Sequence, residues 1–335
     1  MIIGLMICLA LLIVTVGYLL FTQKYVYVQH SLLLSDSPEA LIDKVKEIEF
    51  WSSWLPWSLY DDETTVQVSP AQGNETIGAS IRLKGPHLKS ISCHVTGLDL
   101  KDGLSFSIVS DYFYPAPIQV KITWTSTEEE QGMMQLYASS QLNMWQRIVH
   151  GRFQKSLHAD MRLLLLRLKA QLIPESDANV QLTQNGCHKL PNVDAVTRPF
   201  IVSDHPMSVQ MEQGFRDLII SLGPENRPAG PSFALYEDAD IRQHYFTGKL
   251  GIPIQCLSAC EAQPERLTFV GKYMSLKYQG SYQHLWLAWH TLHTYCRIHG
   301  LRPANRRTSL EVYEVSPRET SNTLQFVTVL YLPIL

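Results

Sequence analysis

The first 23 residues carry no charged side chain, and the run MIIGLMICLALLIVTVGYLLF is almost wholly aliphatic. A helix needs about 20 apolar residues to cross roughly 30 Å of hydrocarbon, so residues 2–21 are expected to span a membrane once. A cleavable leader would show a basic start, a shorter apolar run and a small-residue cleavage site. Gln23, Lys24 and Tyr25 follow instead, which predicts an uncleaved anchor over 1–23. Tyr18, Tyr25 and Tyr27 fall where interfacial aromatics gather. The single flanking charge, Lys24, leaves the side of the membrane open.

Beyond the anchor the period changes. YVYVQHSLLL alternates as a strand does, and SPEALIDKVKEIEFWSSW reads as one or two short helices opened by Ser37 as N-cap and Pro38 at the first helical position. TTVQVS, GASIRLKG, SISCHVTGLDL, LSFSIVS and PIQVKITWTST follow as strand-type runs parted by turn residues, the signature of antiparallel hairpins. Phe153, Leu157, Met161, Leu164, Leu165, Leu168 and Leu172 then recur at steps of three and four, predicting one long amphipathic helix. Residues 173–192 are polar, broken by Pro and Gly and without period, and are read as a linker.

From residue 193 onward the pattern repeats. AVTRPFIVS leads to a helix from about Pro206, whose apolar face is Met211, Phe215, Leu218, Ile219 and Leu222; PSFALYED and IRQHYFTGKL follow as strands. LTFVGKYMSLKYQG then leads to a helix on which Tyr282, Leu285, Trp286, Trp289, Leu292 and Cys296 recur, and SLEVYEVS and LQFVTVLYLPI close the chain. Two βαββ units in tandem imply a duplication, one shared sheet and a groove between the halves. The expected class is therefore α+β, with an anchor at 1–23, a first domain at 24–172 and a second at 193–335.

Composition narrows the chemistry. A net charge of -3 argues against nucleic acid as a partner, and the one basic cluster, Arg302, Arg306 and Arg307, is too small to track a phosphate backbone. Cys8, Cys93, Cys187, Cys256, Cys260 and Cys296 include no CxxC pair, so they read as buried or free thiols, which fits a reducing compartment. His290 and His293 share a helix face, but no third ligand is placed by the sequence; His87 and His94 are isolated. No metal and no cofactor is expected.

Two resemblances add to this. The segment FWSSWLPWSLYDD at 50–62, followed by Gly78, Ala79, Leu83 and Gly85, resembles the polyketide-cyclase/START-like (SRPBCC) superfamily over about 23–172. That resemblance implies a helix-grip fold around an apolar cavity. Trp51, Trp54 and Trp57 are then candidates for the cavity mouth, or core aromatics pinning helices to sheet.

The second half of the chain, 190–335, resembles the GyrI-like (AraC effector-binding) domain. The matching residues are Gly271, Tyr273, Gly280, Tyr282, Trp286, Glu311, Tyr313, Tyr331, Leu332 and Pro333, with Gly230-Pro231, Leu235-Tyr236 and Gly251-Ile252-Pro253 in the first half. The resemblance implies a groove in which aromatics (Tyr236, Tyr273, Tyr282, Trp286, Tyr313) and a buried glutamate, Glu311, meet a small hydrophobic or cationic organic molecule. A desolvated carboxylate among aromatic rings selects such ligands. No DNA-binding helix-turn-helix accompanies it. Membrane-anchored binding or sensing is the expected function; the alternative is a hydrolase of reactive small molecules, with Glu311 as general base and Tyr282 or Tyr313 as hydrogen-bond donor. Protein partners are not specified by the sequence.

Overall fold

A computed structural model of the chain describes residues 6–7, 9–10, 14–15, 17, 22–34, 39–71, 76–99, 103–126, 132–202, 207–222, 227–240, 245–255, 264–304 and 307–335. Most of the anchor expected over 1–23 lies outside these residues, as do Ser37, Pro38, Cys8, Cys256, Cys260 and Pro206; Met6, Ile7, Leu9, Ala10, Val14, Thr15 and Gly17 are helical. Among the described residues no helix is long and apolar enough to cross a membrane. The chain forms two compact units, Met1–Ala178 and Asn179–Leu335.

The first unit is a seven-stranded antiparallel sheet in the order β1-β7-β6-β5-β4-β3-β2. Its strands are β1 (Tyr25–Leu34), β2 (Thr65–Ser69), β3 (Ser80–Gly85), β4 (Lys89–Asp99), β5 (Gly103–Ser110), β6 (Ile118–Ser126) and β7 (Gly132–Gln141). Two short helices, α1 (Glu39–Lys46) and α2 (Trp51–Trp54), precede β2, and the long helix α3 (His150–Leu172) closes the unit. The expected hairpins form, but β7 was not foreseen. Its inward positions Met134, Leu136, Ala138 and Ser140 alternate cleanly with outward ones. Glycine, alanine and serine are poor strand formers, and they masked that alternation. Pairing of β7 to β1 over ten residues supplies what its composition lacks.

The Trp-rich segment is the plug of this unit. Trp51, Trp54, Trp57 and Tyr60 are fully enclosed, so the three tryptophans stand in the core and not at an open cavity mouth. Trp51 lies 5.1 Å from both Trp54 and Phe106, and its Nε1 donates to the Val45 carbonyl at 2.9 Å. From α3, Arg167 donates to the Ser53 carbonyl at 2.7 Å and to the Trp54 carbonyl at 3.3 Å. Truncating any such aromatic costs about 3–5 kcal/mol.

Two pieces of the sequence pattern, the acid after the tryptophans and the glycine at the end of β3, meet physically. Asp61 Oδ2 accepts from the backbone N–H groups of His87 and Leu88, both at 2.8 Å, and so caps the turn after β3. A Cβ on Gly85 would sit 2.4 Å from that same oxygen. The acidic residue after the tryptophans therefore requires a glycine at the end of β3. A second buried carboxylate, Asp160 on α3, accepts from Tyr60 Oη at 2.5 Å and Tyr114 Oη at 2.6 Å; Tyr114 in turn accepts from Trp57 Nε1 at 2.8 Å.

The second unit is an eight-stranded antiparallel sheet, β12-β9-β11-β10-β14-β15-β13-β8. Its elements are β8 (Gln181–His188), β9 (Val193–Val202), α4 (Met207–Leu222), β10 (Ser232–Asp240), β11 (Tyr245–Pro253), β12 (Glu265–Leu267), β13 (Lys272–Gln279), α5 (Leu285–Ile298), β14 (Ser309–Val315) and β15 (Val327–Ile334). The two expected βαββ units are β9-α4-β10-β11 and β13-α5-β14-β15. They meet head to head through their second strands, β10 and β14. Two strands lie outside that scheme. β8 falls in the segment expected to be linker, because QLTQNGCH carries no apolar alternation; the free edge of β13 recruits it. β12 is cut from β13 at Gly271, whose φ of +93° interrupts the run expected to be one strand.

Candidate functional site

The seam between the half-repeats sets the site. Antiparallel pairing of β10 with β14 places Ala234 opposite Glu311, flanked by Ser232 opposite Tyr313 and Tyr236 opposite Ser309. Side chains alternate across a strand, so Ala234, Tyr236, Glu311 and Tyr313 share one face. Phe233, Leu235 and Leu310 occupy the other, where they pack with Ala195 and Tyr273. The first face carries α4 in a core of Val196, Phe200, Leu218, Leu222, Leu250 and Ile252 that includes Ala234 and Tyr313.

Glu311 is buried there, and three donors converge on it. Tyr236 Oη donates to Oε2 at 2.8 Å, Tyr313 Oη to Oε2 at 2.6 Å, and Trp289 Nε1, from α5, to Oε1 at 2.6 Å. Among the described residues no Lys, Arg or His forms an ion pair with it. Burial pushes the Glu311 carboxyl above its ordinary range, and the three hydrogen bonds pull back. The phenols of Tyr236 and Tyr313 are raised well above normal, by burial first and by the Glu311 charge second. They therefore stay protonated and stay donors. The site is a cradle of neutral donors around one buried carboxyl group.

Aromatic edges enclose the cradle. Tyr313 meets Phe215 and Tyr282, each at 5.7 Å; Tyr236 meets Phe200 at 5.7 Å and Phe246 at 6.4 Å; Tyr282 stacks on Phe326 at 4.9 Å. A cavity of about 390 Å³ reaches Tyr313 from outside, lined further by Ser232, Glu314, Ser316, Arg318 and Glu319.

The expected residues divide accordingly. Glu311, Tyr313 and Tyr236 converge, and Tyr282 stands beside them. Tyr273 lies on the opposite face of the sheet, against Leu310; the register excludes it from the cradle. Trp286 is exposed, because α5 turns Leu287, Ala288, Thr291 and Leu292 inward. The residue missed is Trp289, three positions on. Its helical spacing marked it as a face residue, but only the small inward side chains Ala288 and Thr291 reveal how closely α5 approaches the sheet. Trp51, Trp54 and Trp57 belong to the interior of the first unit. Among the described residues no three His, Cys, Asp or Glu side chains are grouped to hold a metal ion, and His290 and His293 acquire no third ligand. Cys93 and Cys296 are buried thiols and Cys187 an exposed one.

No family model matches the chain, and no curated protein matches it in sequence. Among solved structures it is similar to the EcmrR C-terminal domain, with 14% identity over 47% of this chain and 96% of that one and a TM-score of 0.38. It is likewise similar to SAV2435 bound to tetraphenylphosphonium, with 16% identity over 47% and 93% and a TM-score of 0.32. A third similarity is to protein MLL2253 from Mesorhizobium loti, with 17% identity over 45% and 98% and a TM-score of 0.33. Each of these likenesses spans less than half of the chain at a low score, so the function rests on the chemistry of the cradle.

Proposed function

We propose that the second unit binds small hydrophobic molecules bearing a positive charge, in a GyrI-like groove centred on Glu311. In the same reading, residues 1–23 tether the chain to a membrane by a single span, and residues 24–172 form a START-like companion domain. One observation carries the ligand chemistry: a buried carboxylate held by three neutral donors, with no cationic partner among the described residues, amid aromatic edges. Such a group lacks only a counter-charge. An organic cation supplies it and covers the rings at once, gaining cation–π contacts of about 0.5–2 kcal/mol each as water leaves. Binding is favoured over hydrolysis because both carboxylate oxygens are already engaged. That suits a fixed charge better than a group that must turn to activate water.

The test compares a cationic with a neutral phenyl-phosphorus probe on the full chain in detergent micelles. Tetraphenylphosphonium should raise the melting temperature and bind measurably by calorimetry, whereas neutral triphenylphosphine oxide should bind at least tenfold more weakly. Equal affinities would show that Glu311 does not select charge. The tether is tested separately, by flotation of the full chain with phosphatidylcholine vesicles; a chain left at the bottom of the gradient refutes it.

A further inference from the structure

The apolar run that ends at residue 21 leads through Thr22, Gln23 and Lys24 directly into β1. Tyr25 opens that strand opposite Gln141, the last residue of β7. Two connections share this end of the sheet: 111–117, between β5 and β6, and 142–149, between β7 and α3. They are bound to each other and to the start of β1. Gln146 Nε2 donates to the Pro115 carbonyl, the Leu142 N–H to the Lys24 carbonyl at 2.8 Å, and His150 Nε2 lies 3.2 Å from the Tyr25 carbonyl oxygen. Ser140 Oγ donates to the Pro117 carbonyl at 2.8 Å. The end of the sheet is thus one braced surface.

That surface is apolar and outward. Met144, Trp145, Ile148 and Val149 are all exposed within six positions, Trp145 by 69%, and Tyr112 on the neighbouring connection by 77%. Isolated surface hydrophobics need no explanation, but contiguous ones mark a contact site. Lys24, Arg147 and Arg152 stand close to them in sequence, with Asp111 on the neighbouring connection. The spacer settles the distance. Three residues reach at most about 10 Å, and the headgroup layer on each side of the hydrocarbon is about 5–8 Å thick. A span ending at residue 21 therefore holds this end of the sheet at the lipid surface.

We propose that the connection 142–149 is a membrane-contact surface, with Trp145, Ile148 and Val149 entering the lipid interface and Tyr112 and Tyr25 at headgroup level. The proposal rests on the reading of residues 1–23 as a membrane span. It makes the attachment two-point: the span anchors the unit and the apolar connection fixes how it stands. Tryptophan, with an apolar body and one polar N–H, is the residue type that gathers at such interfaces.

The full chain, wild type and Trp145→Phe, is reconstituted into vesicles of phosphatidylcholine and phosphatidylglycerol at four to one, with or without brominated acyl chains. Brominated lipid quenches indole emission on contact. The expected result is that wild type loses emission in brominated vesicles, and that the part of the loss due to residue 145 disappears in Trp145→Phe. If both proteins float with the vesicles but lose emission equally, the lipid contact is overturned while the span stands. If neither floats, the span reading and this proposal fall together. A blue shift of Trp145 that grows with protein-to-lipid ratio, without quenching, assigns the face to a second copy of the chain and also overturns the proposal.

Discussion

Replacing Glu311 by glutamine removes one charge and almost nothing else. The amide keeps the size of the carboxyl, and the hydroxyls of Tyr236 and Tyr313 can rotate to donate or accept. A cation seated against the cradle would sit about 6 Å from the carboxylate, where an effective dielectric constant near 20 gives roughly 3 kcal/mol of attraction. That corresponds to about a hundredfold in Kd. Calorimetric titration of Glu311→Gln with tetraphenylphosphonium should show that loss, while a neutral probe of the same shape changes by less than threefold. The pH dependence sharpens the test. Burial holds the folded-state pKa of Glu311 above its unfolded value, so between those two values the folded state binds more protons than the unfolded one. Stability contributed by this group is then complete below the ordinary carboxylate range and falls as pH rises through the window. Cation affinity must rise across the same window, because only the ionised form attracts. Glu311→Gln should flatten both curves. A Kd for the cation within twofold of wild type, or a pH profile unchanged by the substitution, would refute the assignment of Glu311 as counter-charge.

Tyr313→Phe and Tyr236→Phe each withdraw one donor from a buried charge. Each should cost roughly 1.5–3 kcal/mol in denaturant melts above neutral pH and less in acid, where Glu311 is protonated. Asp160→Ala leaves the hydroxyls of Tyr60 and Tyr114 without their shared acceptor and should destabilise the first unit by about 2–5 kcal/mol. Cation binding by the second unit should remain, so a lost calorimetric signal would contradict the separation of roles. Gly85→Ala drives a methyl into the Asp61 carboxylate and should cost about 1–3 kcal/mol. The double variant Gly85→Ala/Asp61→Ala should cost less than the sum of the two singles, which urea melts of all four proteins would measure.

Periodicity carried most of the architecture, and its failures share a cause. The tandem βαββ order, the long helix α3 and the hairpins of the first sheet were legible because each buries one apolar face at a fixed period. β7 and β8 were not, since their residues are indifferent to strand formation and their neighbours decide for them. Asp160 was invisible for the opposite reason: a lone acid inside a leucine-rich helix reads as solvent-facing, and only the fold brings Tyr60 and Tyr114 to it. Glu311 stood out through the family resemblance and not through its spacing, because an acid in SLEVYEV alternates as readily toward water. Trp289 against Trp286 turned on one helical step, which depends on how deeply α5 settles on the sheet.

The pairing of Ala234 with Glu311 across β10 and β14 has one more consequence. A duplicated domain that met itself symmetrically at this seam would set two like side chains face to face, about 5 Å apart. Two buried carboxylates at that distance repel, and one of them must hold a proton. With alanine on one side, packed into the apolar core beneath α4, the seam keeps a single carboxyl group with no second one facing it. The two halves thereby become unequal partners: one supplies the carboxyl group, the other a phenol that donates to it. If the proposed cation binds here, its charged end should lie toward β14, which carries Glu311. The orientation expected of such a guest thus follows from the inequality between the two copies.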